Sequence, residues 1–124
     1  MIYLANAFSL SMLPALPASE NPLHLVILPA TADYVAARLE DTEWQSAVGH
    51  AQTAELFTTE LGVEVPVNRI SVALTSTDRL FVGQYMGPRL PEGTTSLPEG
   101  AEIRWFKIGL RPVGVMQNPL HVLS

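Results

Sequence analysis

The stretch Ile2-Tyr3-Leu4-Ala5-Asn6-Ala7-Phe8-Ser9 begins with a short apolar run and ends in polar residues. An apolar run followed by a turn former predicts a buried strand over residues 2–5. Ser9 is then placed to cap a short helical turn. In open α/β sheets, ligands bind beside the residues that follow such strands, so Asn6 and Ser9 are candidate ligand contacts. The alternative is that Asn6 only forms the turn and Ser9 only caps it.

The segments that follow alternate between strand and helix patterns. Residues 23–28 have β-branched residues at their centre and end before a proline, which predicts a second strand. Thr31 is a suitable cap for a helix over residues 32–39. Residues 45–48 favour a short strand or an extended entry to the next helix, which spans residues 51–61 and ends at a glycine.

Residues 69–86 predict a β-hairpin, because apolar residues alternate over 69–74, a polar turn follows, and 80–86 returns as a strand. Residues 102–108 predict the last strand. These elements indicate one α/β domain over residues 1–110, with a mixed five-stranded sheet flanked by helices. Residues 111–124 form a tail with no assigned structure.

Composition excludes several classes of protein. The net charge of −5 argues against a DNA duplex as partner. No apolar run is long enough to span a membrane, and no signal-peptide pattern is present. The chain has no cysteine, which excludes disulfides and thiolate metal sites and fits a cytoplasmic protein.

Charge is uneven along the chain. Up to residue 66 the single base is Arg38; the other six bases follow it: Arg69, Arg79, Arg89, Arg104, Lys107 and Arg111. The second half can therefore hold a cationic site for a small anion. The alternative is a set of exposed arginines on strands.

His50 follows Gly49 at the predicted start of a helix. Helix starts present free backbone N–H groups and a positive dipole end, which together favour phosphate. Gly49 would let a ligand approach the backbone, and a histidine there can protonate a leaving alkoxide. The alternative is a helix-cap histidine that touches nothing.

Arg89 and Glu92 lie three residues apart in a loop rich in proline and glycine. An arginine fork suits phosphate, and a carboxylate can orient a hydroxyl or share a proton. The alternative is a surface ion pair of little energetic value. The scattered histidines have no zinc-ligand spacing, and no glycine-rich phosphate loop indicates a nucleotide cofactor, so neither a metal nor a cofactor is expected.

Four segments in order carry a resemblance to a known family: residues 3–9 with Met12-Leu13, Val48-Gly49-His50 with the following helix, Asn68-Arg69, and Arg89-Leu90 with Glu92-Gly93. The chain resembles the viral anti-CRISPR ring nucleases and their cellular relatives. Two positions depart from the family pattern. Gln52 stands where the family has a small hydroxyl residue, and Pro91 where it tends to have a second acidic residue.

The resemblance implies a metal-independent homodimer that cuts cyclic tetra-adenylate, a messenger of type III CRISPR systems, into linear di-adenylate with a 2′,3′-cyclic phosphate. His50 matches the family's general acid and Glu92 its proton-transfer glutamate. Ser9, Arg69 and Arg89 match residues that line the ligand pocket. A virus-encoded member would act in the host cytoplasm. The alternatives are a sponge, meaning a protein that sequesters the ring without cutting it, and an accessory protein that binds DNA or RNA.

Overall fold

The structure, a computed structural model, describes residues 1–14 and 23–112. These residues form a single α/β domain around a five-stranded mixed sheet of order β2-β5-β4-β1-β3. The elements in chain order are β1 (Ile2–Ala5), a short 3-10 helix (Leu10–Met12), β2 (Leu23–Ala30), α1 (Ala32–Asp41), β3 (Trp44–Ser46), α2 (Ala51–Leu61), β4 (Arg79–Met86) and β5 (Glu102–Pro112). The predicted single α/β domain with a mixed five-stranded sheet and helices is confirmed.

Parallel pairing at the centre of the sheet decides which loops meet. β1 lies between β3 and β4 and is parallel to both, with Ile2 opposite Trp44 on one side and Arg79 on the other. The loops that leave the carboxyl ends of β1 and β3 therefore emerge at the same end of the sheet. β5 is antiparallel to β4 and β2.

Apolar clusters cover both faces of the sheet. On one face α1 and α2 pack against the strands, with Phe57 and Phe81 fully buried. On the other face, residues 70–74 and the 3-10 helix cover β4 and β5. Both helices are capped as predicted, α1 by the Thr31 hydroxyl and α2 by Gly62 at its carboxyl end.

The predicted hairpin over residues 69–86 is wrong. Residues 69–74 form no strand, although β4 follows the turn as expected. The alternation that predicted a strand is real, because Val72 and Leu74 are buried against the sheet face. Two backbone bonds hold this segment in place: Asn68 N donates to the Val48 carbonyl at 2.8 Å, and Leu74 N to the Met12 carbonyl at 2.8 Å. The fifth strand of the sheet is instead β3.

β5 extends to Pro112, two residues past the predicted end of the domain. The rest of the unassigned tail lies outside the described residues. No helix among residues 1–14 and 23–112 is long and apolar enough to cross a membrane.

Gly83 is the tightest point of the core. It lies opposite Trp105, and a Cβ added to it would stand 2.6 Å from Trp105 Cζ3 and 2.8 Å from Phe57 Cζ. The two rings already contact each other, with centroids 5.0 Å apart. We expect Gly83→Ala to lower the free energy of unfolding by about 1–3 kcal/mol through overpacking. Urea unfolding checks this, with Gln84→Ala, at the exposed neighbour, as the control. Equal midpoints for Gly83→Ala and the parent would contradict it.

Candidate functional site

The loop after β3 is fastened to the segment before Arg69. Ser46 Oγ donates to the Pro66 carbonyl at 2.7 Å, and Asn68 Nδ2 donates to the Ser46 carbonyl at 2.7 Å. Together with the bond from Asn68 N to Val48, these contacts hold residues 66–69 alongside residues 46–49. They place Arg69 beside the start of α2. Sequence reasoning did not assign this role to Ser46 or Asn68, because only the fold brings their partners within reach.

Gly49 lies in close contact with the Arg69 side chain. A Cβ on Gly49 would stand 3.1 Å from Arg69 Cγ and 3.4 Å from Arg69 Cβ. The space beside the Gly49 backbone, predicted to admit a ligand, holds the aliphatic part of the Arg69 side chain. Glycine at this position brings the Arg69 side chain against the backbone that leads into His50.

His50 is the N-cap residue of α2. Its backbone is extended, its side chain makes no capping hydrogen bond, and the first turn of the helix carries no acidic residue. The residue is exposed. The helix dipole at this end is therefore not neutralised by a neighbouring carboxylate of its own turn, which favours a bound anion.

Three of the predicted site residues share one cavity. A cavity of about 580 Å³ is lined by His50, Gln52, Arg89, Leu90, Pro91 and Glu92. The fold thus joins the start of α2 to the loop between β4 and β5. Neither of the ion pairs seen between described residues, Met1–Asp78 and Arg104–Glu102, involves Arg89 or Glu92. Arg89 and Glu92 are both exposed, and the surface ion pair considered between them is not formed.

One hydrogen bond spans the two sides of this cavity. Gln52 Nε2 donates to the Pro91 carbonyl at 2.6 Å, across 39 residues of sequence. Gln52 and Pro91 are the two positions that depart from the ring-nuclease pattern, and here they contact each other. This bond holds the loop that carries Arg89 and Glu92 against the helix that begins after His50.

We expect Gln52→Ala to loosen that loop without unfolding the protein, since Gln52 is only half-buried. The bond between Arg89 and Leu90 is a trypsin site, and it should be cut several-fold faster in the variant, because cleavage follows the population of locally open states. The control is Gln84→Ala, which removes an exposed glutamine from β4. Cleavage at the parental rate would show that this hydrogen bond does not order the loop.

Asn6 and Ser9 lie at the same end of the sheet, but neither lines the cavity. Ser9 caps the 3-10 helix, where its Oγ accepts a hydrogen bond from Ser11 N at 3.2 Å and lies 2.9 Å from Ser11 Oγ. The capping role considered for Ser9 is therefore observed. Asn6 is exposed after β1.

The described residues contain no group of three or more histidine, aspartate or glutamate side chains placed to hold a metal ion. His24 lies on β2 with its Nδ1 3.0 Å from an Arg111 nitrogen, and His121 lies outside the described residues. The chemistry that the cavity itself supports is acid–base and electrostatic, from one imidazole, one carboxylate and one guanidinium.

Comparisons with known proteins find viral relatives of this chain. The chain is 36% identical over 93 residues to "Uncharacterized protein 26" of Sulfolobus islandicus filamentous virus (isolate Iceland/Hveragerdi), an alignment that covers 75% of this chain and 74% of that protein. It is similar in structure to B116 of Sulfolobus turreted icosahedral virus (STIV), with a TM-score of 0.68 and 26% identity, covering 87% of this chain and 97% of B116. The family model described as STIV B116-like matches residues 2–109. The chain therefore belongs to the STIV B116-like family of viral proteins.

Proposed function

We propose that this protein is a metal-independent ring nuclease that binds cyclic tetra-adenylate and cleaves it to linear di-adenylate with a 2′,3′-cyclic phosphate. The observation that carries the proposal is the cavity at the start of α2, which His50, Arg89 and Glu92 line together. These are residues that the resemblance to ring nucleases assigns to acid catalysis, phosphate binding and proton transfer.

In the proposed reaction, the ribose 2′-hydroxyl attacks the adjacent phosphorus atom. A bond forms between the 2′-oxygen and phosphorus, and the bond from phosphorus to the 5′-oxygen breaks. The 2′-hydroxyl proton leaves toward the Glu92 carboxylate, and the His50 imidazolium protonates the departing 5′-oxygen. No water, oxidant or metal enters the balance of this step.

The arginines supply charge stabilisation. Arg89 lines the cavity and can donate two parallel hydrogen bonds to non-bridging phosphate oxygens as their charge grows. Arg69, held beside Gly49, adds a second cation near the same helix start. The remaining contribution is alignment of the attacking and leaving oxygens, which an enzyme supplies by holding the ring.

The proposed assembly is a homodimer with the ring on its two-fold axis. A ring of four phosphates has two-fold symmetry, which an isologous interface can match, so each protomer presents its His50 to opposite phosphates. Asn6 and Ser9, exposed at the same end of the sheet, then contact the ring from outside the single-chain cavity. Light scattering at micromolar concentration should give twice the 13.5 kDa chain mass. A monomer with and without the ring would contradict this assembly.

The second candidate function is a sponge that binds the ring without cutting it. One observation favours it: the described residues provide no hydrogen bond that would orient the His50 ring. An unoriented imidazole could bind a phosphate yet be poorly placed for proton transfer. In either case the place of action is the host cytoplasm, where the messenger is made.

One experiment separates these functions. Purified protein is incubated in EDTA with labelled cyclic tri-, tetra- and hexa-adenylate, and intact rings are resolved from linear products. The proposed function predicts conversion of cyclic tetra-adenylate to di-adenylate with a 2′,3′-cyclic phosphate. Tight binding with the ring intact would establish the sponge, and absence of both binding and cleavage would overturn both.

A further inference from the structure

A second pocket lies at the opposite end of the sheet from His50. It has a volume of about 460 Å³ and is lined by Met1, Ile2, Arg38, Thr42, Glu43, Thr77 and Arg79. The residues come from the last turn of α1, from residues 42–43 between α1 and β3, and from the starts of β1 and β4. Because these strands are parallel, this pocket is separated from the candidate active site by the length of the strands.

Arg38 has no partner among the described residues. Its side chain is half-buried on α1, and it makes no hydrogen bond or ion pair with residues 1–14 or 23–112. Its Nε atom is fully buried and unsatisfied. Burying a guanidinium donor without an acceptor costs free energy, so such an atom calls for an explanation.

Arg79 places a second guanidinium in the same pocket. Its Nη1 donates to the Asp78 carbonyl at 2.8 Å and to the Ser76 carbonyl at 3.2 Å, which fixes the side chain at the pocket. Burial lowers the pKa of Arg79, the Asp78 charge raises it, and the nearby Arg38 charge lowers it further. The pocket therefore holds two like charges close enough to repel each other.

Among the described residues, no carboxylate forms an ion pair with Arg38. The Asp78 carboxylate accepts hydrogen bonds from the terminal ammonium of Met1 at 3.1 Å and from Thr75 N at 2.9 Å. Glu43 lines the pocket but forms no ion pair with any residue in the described ranges. An anion in the pocket would offset the repulsion between the Arg38 and Arg79 guanidinium groups.

We propose that the pocket of Arg38 and Arg79 is a binding site for a small phosphate-bearing anion. A guanidinium matches the geometry of phosphate oxygens, and the positive charges of both arginines favour an anion between them. The volume suits a phosphate group with a small substituent, and the net charge of −5 disfavours a nucleic-acid duplex as its source. The site does not depend on the proposed nuclease function.

The test is an NMR titration of the full chain with inorganic phosphate, against chloride at equal ionic strength. Saturable shifts should appear at backbone amides of Thr42, Thr77 and Arg79. A parallel titration with adenosine monophosphate distinguishes a free phosphate from a phosphate monoester, since tighter binding of the monoester shows that the substituent is also held.

Three variants locate the binding. Arg38→Gln should weaken phosphate binding at least 10-fold, and Arg38→Lys should weaken it less, because the charge remains while the fork is lost. Arg104→Gln, which removes an exposed arginine paired with Glu102 elsewhere on the sheet, should leave binding unchanged. Without phosphate, Arg38→Gln should melt at or above the parental temperature, because it removes an unpaired buried donor and a repulsive charge.

Shifts confined to Gln52 and the loop of Arg89 would place the phosphate at the other cavity and overturn the proposal. Equal affinity in Arg38→Gln, or no saturable shift in the parent, would overturn it as well. A large loss of thermal stability in Arg38→Gln without phosphate would show that Arg38 already stabilises the fold, and this result would also overturn the proposal.

Discussion

His50→Ala is expected to bind cyclic tetra-adenylate almost as the parent does and to cut it about 10²–10⁴-fold more slowly, the usual contribution of a positioned general acid. Loss of the acid leaves the 5′-oxygen to depart as an alkoxide, which is a poor leaving group at neutral pH. Binding should persist because Arg69, Arg89 and the start of α2 remain.

The fold should survive this substitution for a specific reason. His50 is the N-cap of α2, but its side chain makes no capping bond and is exposed, so alanine removes no contact that stabilises the helix. The matched control is His24→Ala, which removes a histidine on β2 that does not line the cavity. Single-turnover rates with enzyme in excess report the chemical step without product release.

Cleavage by His50→Ala at the parental rate would exclude the proposed mechanism. Equal slowing by His24→Ala would instead indicate a general loss of structure. Parental cleavage should persist in EDTA, since no metal-ligating group of three or more side chains occurs in the part of the chain that the structure describes.

The elements that the sequence predicted well are those with local signals. The apolar run of β1 is followed by Asn6, α1 begins after a capping threonine, and α2 ends at Gly62. Each of these signals acts within a few residues, through a side-chain cap or a backbone conformation. These local signals therefore predict the ends of an element without knowledge of its tertiary contacts.

The hairpin failed because period-two alternation reports one buried face and nothing about hydrogen-bond partners. Val72 and Leu74 point into the apolar cluster on the sheet, as strand residues would. Their segment nevertheless lies across the face of the sheet, while β4 pairs with β1. Which segment pairs with β4 depends on all the strands that can pair with it, and the whole fold therefore decides it.

The candidate site shows the same division. The sequence pattern and the resemblance predicted His50, Arg89 and Glu92, which line one cavity. The contact between Gln52 and Pro91 had no sequence signal, because it joins residues that only the fold brings together. The unsatisfied Nε atom of Arg38 was not predicted either, because the sequence pattern of a helix does not show which side-chain atoms are buried.

Arg89→Ala should weaken binding of the ring more than it slows cleavage of ring already bound. Arg89 lines the cavity and forms no ion pair with any residue in ranges 1–14 and 23–112, so its charge is available to phosphate. A charge-assisted hydrogen bond contributes about 1.5–3 kcal/mol, which corresponds to a loss of about 10- to 150-fold in affinity.

Calorimetry on the His50→Ala background isolates binding, because the ring stays intact during the titration. Arg104→Ala on the same background is the control, since that exposed arginine is paired with Glu102 and lies outside the cavity. If Arg89→Ala binds as tightly as its parent, the phosphate does not contact Arg89. Arg69 would then be the cation to test, because it is the other arginine that the structure holds beside the start of α2.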